Sequence, residues 1–325
     1  MANLNEVVVL GAGFSNSVLG LPTLTELSSW LAENVDLAGG GAPIAGFAGD
    51  FELLLTYLAV RHPWKNDSDW YEGKALFYRI QRKLAEHIRQ LEQVQASKGL
   101  PEWAKNLALA LTQQRATVLT LNYDTVFERL VLALEGEQPG HYETPYSMYG
   151  LPLAPIQSRR GAALAPRLKA TVRLLKLHGS TNWYYSGQEG PPSDPIYMTA
   201  PTDGARTADD ELTIDKTPLI IPPVSEKSLF YSNMTLRAVW GRAYEALKNA
   251  GAISFVGYSL PETDLTIRLL LRSAAKPCKV VLVDIAEGGA LRQLRERYQP
   301  AFPQAAIDTS FTGLNAVERF SAAIR

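Results

Sequence analysis

Five short apolar runs, each stopping in a glycine, a polar residue or an acid, constrain what this chain can fold into. Glu6–Leu10 (EVVVL) gives way to GAGFS, Thr117–Leu121 (TVLTL) to NYD, and Val172–Leu177 (VRLLKL) to HGS. ISFV then gives way to GYS, and KVVLV to Asp284. β-branched and aliphatic runs without polar alternation suit strands buried on both faces. Helical patterns separate the runs, so the chain reads as α/β: a parallel sheet with helices on both faces.

The pattern between the runs sets the expected organisation. GAGFSNSVLGLP reads as a turn, followed by a helix to about Asn34 that Thr23 or Thr25 caps, with Glu26 three residues after Thr23. Residues 37–49 read as a Gly/Ala-rich loop, FELLLTYLAV as a helix and 61–71 as a connection. Two further helices are predicted over 73–98 and 101–113, making 37–114 an inserted helical lobe between 1–36 and 115–325. A helix follows at Thr125–Leu134; residues 138–170 and 186–216 read as long irregular segments. Pro218–Ile221 reads as a short strand and Leu229–Asn249 as a long helix. Helices from about Glu262 and up to about Tyr298 flank the last apolar run.

Charge and cysteine content exclude several classes of function. The 32 Lys+Arg and 33 Asp+Glu nearly cancel, leaving no excess to hold a polyanion, so direct nucleic-acid binding is not expected. Cys278 is the only cysteine, which rules out an intrachain disulfide or a multi-cysteine zinc site; no metal is expected. The N-terminal residues show no signal-peptide pattern, and no apolar run approaches the roughly 20 residues needed to span a bilayer. The expected location is therefore the cytoplasm, without membrane contact.

In open parallel sheets, ligands bind beyond the carboxyl ends of the strands. The chemistry at these ends is specific. Gly11 and Gly13 allow a tight turn and close approach of a pyrophosphate, with free N–H groups and a helix terminus favouring an anion. The third glycine of a G-x-G-x-x-G pattern is replaced by Asn16. Asn122 follows an apolar run directly, where capping does not explain a polar residue, whereas Asp124 taken alone reads first as a cap for the helix at Thr125. His178 ends a strand ahead of Gly179, where backbone can pass close to a ligand, and imidazole is the natural proton acceptor near neutrality. His62, His87 and His141 read as solvated or structural. Asp284 reads equally as a ribose contact or a cap.

Taken in order, GAGFS, TLNYD, LHG, GYSLPETD and the closing VD resemble the motifs of the sirtuin family across roughly residues 6–285. The resemblance implies a Rossmann-like domain with an inserted lobe and NAD as substrate. It implies that Gly11, Ala12, Gly13 and Ser15 hold NAD phosphates or ribose, and that Gly257, Ser259 and Asp284 reach the adenosine half. It places Asn122 and Asp124 at the nicotinamide end, with His178 as base. The chain departs from sirtuin deacylases in lacking four zinc-binding cysteines and in reading GLPTLTEL where they carry G-I-P-D-F-R. It is thereby more similar to the sirtuin-like proteins of bacterial antiviral defence, which implies NAD hydrolysis. Unchecked NAD hydrolysis would poison a cell, so control by homo-oligomerisation or by a separate partner protein, an ATPase or a nuclease, is expected. An NAD-binding sensor without turnover, and an NAD-dependent deacylase or ADP-ribosyl transferase, stay open as alternatives.

Overall fold

The computed structural model describes residues 6–34, 47, 50–137, 148–151, 153–155, 172–186, 195–199, 215–222, 230–274, 276 and 279–324. Its centre is a six-stranded parallel sheet. Along the chain the strands are β1 (Glu6–Leu10), β2 (Thr117–Thr120), β4 (Arg173–Lys176), β8 (Ala252–Val256), β9 (Lys279–Asp284) and β10 (Ile307–Thr312). Across the sheet they run β10-β9-β8-β1-β2-β4. Counting only these six in chain order gives 3-2-1-4-5-6, the order of a Rossmann sheet. The first half winds outward from β1 in one direction and the second from β8 in the other. Right-handed crossovers therefore put their helices on opposite faces.

β1 lies at the middle of this arrangement, paired in parallel with β2 (Val7 opposite Thr117) and with β8 (Val7 opposite Ile253). Val7 to Leu10 are all buried, which is why the run has no polar alternation.

The helices mostly follow the sequence pattern. They are α1 (Ala12–Leu19), α2 (Leu24–Asn34), α3 (Phe51–Ala59), α4 (Asp67–Ala96), α5 (Glu102–Gln113), α6 (Val126–Glu137), α7 (Met234–Lys248), α8 (Leu265–Ala274), α9 (Gly288–Tyr298) and α10 (Ala316–Ala323). Thr23 starts α2 as expected, its N–H and hydroxyl both donating to Glu26 Oε2 (2.7 and 2.8 Å).

Several boundaries differ from the sequence reading. GAGFSNSVLG is not a turn: the chain enters α1 directly after Gly11, and Phe14, Ser15, Val18 and Leu19 form its buried face. α4 begins earlier than expected, because the Asn66 side chain accepts from Asp69 N–H and starts the helix at Asp67. The predicted helix over 229–249 is divided at Asn233, whose side chain caps α7 after a 3₁₀ turn at Phe230–Ser232. α8 starts at Leu265, behind Pro261, rather than near Glu262. β10 and α10 had no counterpart in the sequence reading. Most of the irregular segments 37–49, 138–170 and 186–216 lie outside the described residues.

The short strand expected at Pro218–Ile221 is present over Lys216–Ile220, and it belongs to a second sheet that the sequence pattern does not reveal. This sheet consists of β3 (Ala154–Pro155), β6 (Tyr197–Met198), β5 (Gly179–Ser186) and β7 (Lys216–Ile220), in that spatial order. HGS is thus not simply a strand exit: only Leu177 and His178 separate β4 from β5. Gly179 is required there, with φ +77°, and a Cβ would meet the Leu219 carbonyl of β7 at 2.1 Å. On the side a Cβ would take, the backbone that approaches this glycine is that of β7. Gln81 on α4 donates to the Pro218 and Ile220 carbonyls of β7 (3.0 and 2.7 Å), satisfying part of a strand edge. Among the described residues, no helix is long and apolar enough to cross a membrane.

Candidate functional site

The carboxyl ends of β4, β2, β1 and β8 lie side by side on one edge of the sheet. Three inter-strand spacings separate the outer two, roughly 14 Å at about 4.8 Å each. The reversal of strand order falls between β1 and β8, where open α/β sheets form their ligand crevice.

The glycines of GAGFS and GYS meet at this reversal. A Cβ on Gly11 would lie 2.5 Å from the Gly257 carbonyl oxygen and 2.6 Å from Tyr258 Cβ. On Gly257, which has φ +62°, a Cβ would lie 2.3 Å from Phe14 N. The two turns therefore pack backbone on backbone. Gly11 N–H donates to the Val256 carbonyl (3.0 Å) and Gly13 N–H to the Gly257 carbonyl (2.9 Å). This corrects the expectation that both N–H groups stand free for an anion. Ala12 is exposed at the start of α1, while Ser15 is buried.

NYD joins the same crossing. Asn122 Nδ2 donates to the Gly11 carbonyl (2.8 Å) and to Ser15 Oγ (2.9 Å). The Ser15 hydroxyl in turn bonds the Asp124 carboxylate. Asp124 Oδ1 also accepts from Val126 N–H (3.1 Å), so the capping reading of Asp124 holds at the start of α6. Burial, and secondly the charge of Glu92, push the Asp124 carboxyl up to about 6; the nearby Lys176 ammonium opposes this.

Beneath these residues is a buried ionic network that sequence patterning did not suggest. Lys176 Nζ bonds the Asp124 carbonyl and Glu128 Oε1 (2.9 Å), and Tyr149 OH donates to Glu128 (2.7 Å). Glu92 on α4 accepts from Thr125 N–H (2.9 Å), from its hydroxyl and from Arg129. VRLLKL reads as an apolar strand with one lysine, and that lysine's partners lie at the start of α6, 52 and 48 residues earlier.

His178 is buried (7% exposed), with its ring between Tyr123 (centroids 6.5 Å apart) and Trp240 (6.4 Å). Trp240 Nε1 donates to the Leu177 carbonyl (3.1 Å), fixing the residue ahead of the histidine. His178 Nε2 lies 3.9 Å from Asp264 Oδ1, and Tyr258 OH donates to Asp264 Oδ2 (2.8 Å). Tyr258 packs on Gly11, so contacts run from the first glycine turn through Tyr258 and Asp264 to His178. They return through Tyr123 and Asn122 to Gly11.

Asp264, Tyr258 and Trp240 were not among the expected site residues. Asp264 reads in sequence as part of a helix start. Tyr258 sits between Gly257 and Ser259, beyond the end of β8, and is buried. Ser259 is exposed, its carbonyl accepting from Arg297 (3.2 Å). Asp284, at the end of β9, accepts from Ala286 N–H (2.9 Å), and burial raises its carboxyl pKa. The other described histidines have structural partners. His62 stacks with Tyr57 and Trp64, and His87 stacks on Trp30 (3.6 Å). His141 and Cys278 lie outside the described residues.

No family model matches the chain, and no curated protein matches it. Among solved structures, it is similar to Sir2 bound to a p53 peptide and NAD+: 15% identity, TM-score 0.41, covering 98% of this chain and 91% of that one. The same values hold for Sir2 with the inhibitor EX-527, 2′-O-acetyl-ADP-ribose and a deacetylated p53 peptide. A structure addressing the basis of sirtuin substrate affinity matches at 14% identity and TM-score 0.44, covering 98% and 92%. The fold itself is read from the chain's own strand order.

Proposed function

We propose that this chain binds NAD across the β1/β8 crevice and hydrolyses the nicotinamide–ribose bond. The observation that carries the reading is the closed set of contacts joining Gly11, Asn122, His178, Asp264 and Tyr258 at the strand tips. The sirtuin-like motifs point to Gly11, Asn122 and His178 of this set from sequence, while Tyr258 and Asp264 join it through their contacts. In the reaction, water attacks the ribose anomeric carbon, the glycosidic bond breaks, and nicotinamide leaves neutral with the bonding pair. His178 takes the proton of water. Charge builds on the sugar as in glycoside cleavage, and general-base help is worth about 10²–10⁴-fold. Gly11, Ala12, Gly13 and Ser15 would serve the phosphates and ribose, and Gly257, Ser259 and Asp284 the adenosine half. Asn122 and Asp124 would hold the nicotinamide end. No metal takes part.

The proposal includes the division of the chain into a Rossmann-like part (1–36 and 115–325) and an inserted helical lobe (37–114). It also includes a cytoplasmic setting in antiviral defence. NAD loss would there be restrained by homo-oligomerisation or by a partner ATPase or nuclease. One observation favours the alternative of NAD binding without turnover: the Asn122 amide is already engaged with Gly11 and Ser15, as a purely structural residue would be.

The deciding experiment incubates purified protein with NAD and separates nicotinamide and ADP-ribose by chromatography. His178→Ala and Asn122→Ala should each lower the rate at least about 100-fold with circular dichroism unchanged. Equal rates in both folded variants would refute the assignment. Tight NAD binding with no released nicotinamide would favour the non-catalytic reading. A fully active isolated monomer would defeat the regulatory part.

A further inference from the structure

Asp264 faces His178 in a setting built to hold it. The carboxylate is buried (7% exposed) in the short segment between β8 and α8. Its Oδ1 lies 3.9 Å from His178 Nε2, and its Oδ2 accepts from Tyr258 OH at 2.8 Å. The Tyr258 carbonyl accepts from Tyr298 OH on α9, so the tyrosine is anchored at both ends. Burial, and secondly the Asp264 charge, hold the Tyr258 phenol well above its ordinary pKa, keeping it a donor. Between Tyr258 and Asp264, the fully buried Leu260 adopts φ +48°, a left-handed conformation that costs a branched residue energy. Strain of this kind persists only where surrounding contacts over-determine it.

We infer that Asp264, braced by Tyr258, is the positioning residue that fixes the His178 imidazole at the strand tips and stabilises it once it carries a proton. A separation of 3.9 Å is too long for a direct hydrogen bond but within range of strong attraction between a carboxylate and an imidazolium. The pair therefore responds to protonation of the ring. The aspartate beside a catalytic histidine acts this way in hydrolases, orienting the ring and stabilising its cation without taking the proton.

The groups facing this pair come from three directions. Tyr123 lies on the β2 side, Trp240 on α7, and Tyr258 and Asp264 ahead of α8. Arg268 of α8 acts on Tyr258, while Glu52 of α3 and Tyr231 act on Tyr123. The inference rests on the NAD-cleavage reading for the use made of the proton, but the pair itself is measurable without NAD.

The test is an NMR titration of the histidine rings in the full chain, with His178→Gln identifying the resonance. Asp264→Asn should lower the His178 midpoint by about one unit or more, leave the other histidines unmoved, and be reversed by Asp264→Glu. The same variant should shift the acid limb of the NAD-cleavage profile to lower pH. An unmoved His178 midpoint in folded Asp264→Asn overturns the inference. Should that variant not fold, Tyr258→Phe supplies the test. Removing the phenol leaves the carboxylate undiluted toward the imidazole, so the midpoint should rise; no change overturns the inference. A moved midpoint in a protein that never releases nicotinamide supports the pair and sinks the proposed activity instead.

Discussion

The Asp124 carboxyl shares its surroundings with Glu92 and Lys176, and its protonation bears directly on stability. With its pKa pushed up to about 6 from 3.8, the folded chain holds this proton where the unfolded chain has released it. Between those values the native state binds more protons, so this group makes folding stability fall as pH rises toward about 6. Above that, its effect is constant. Asp124→Asn keeps an acceptor for Val126 N–H and removes the buried charge. The melting temperature of the variant relative to the parent should therefore be higher at pH 7.5 than at pH 4.5. A gap that narrows or reverses on raising the pH would contradict the assigned shift. Asn122 and His178 could be picked out in sequence because each directly follows or ends an apolar run, and Asp124 only through its place in the TLNYD motif. Asp264 could not, because an acid before a helix has a sufficient local explanation as a cap.

At the scale of elements, the crossing of the β1–α1 and β8–α8 turns is the joint on which the site depends. Gly257→Ala would put a Cβ 2.3 Å from Phe14 N in a left-handed conformation. Strain and overlap together should cost about 2–5 kcal/mol in denaturant unfolding. Gly241→Ala on α7 meets nothing within 4 Å, and should instead gain roughly 0.5–1 kcal/mol from helix propensity. Equal effects at the two positions would refute the packing argument. The α6–β4 link gives a second contrast. Glu128→Ala leaves the Lys176 ammonium buried without its carboxylate and should cost about 3–5 kcal/mol. Lys176→Met combined with Glu128→Leu should recover most of that loss in a double-mutant cycle. These elements were partly legible. Strands buried on both faces announce themselves as continuous apolar runs, as β1, β2, β8 and β9 do. β5 hid because GSTNWYYS mixes small polar and aromatic residues, all but the last buried. Its partners are short strands far away in sequence, so no local period marks the pairing.

For the molecule as a whole, the strand order depends on contacts that no window of sequence contains. β10 pairs in parallel with β9 from Ile307 to Thr312, with a register shift between Asp308 and Phe311, and its residues are only partly buried. Polar and irregular, IDTSFT carries little strand signal, which is why the sixth strand went unread. Its role is to cover β9, whose Val280–Val283 core would otherwise lie at an open edge. α10 then buries Val317 and Phe320, and Ser321 Oγ donates to the Trp103 carbonyl of α5. The last segment thus joins the far side of the sheet to a helix of the long β1–β2 crossover. Removing residues 306–325 should do more than shorten the sheet. It bares an apolar strand edge and the face of α5 together. The truncated chain should lose its cooperative melt, bind a hydrophobic dye and self-associate in light scattering. Unchanged cooperativity and solubility would mean that the five inner strands and α5 hold together without this clasp. The β1/β8 crevice would then owe nothing to the end of the chain.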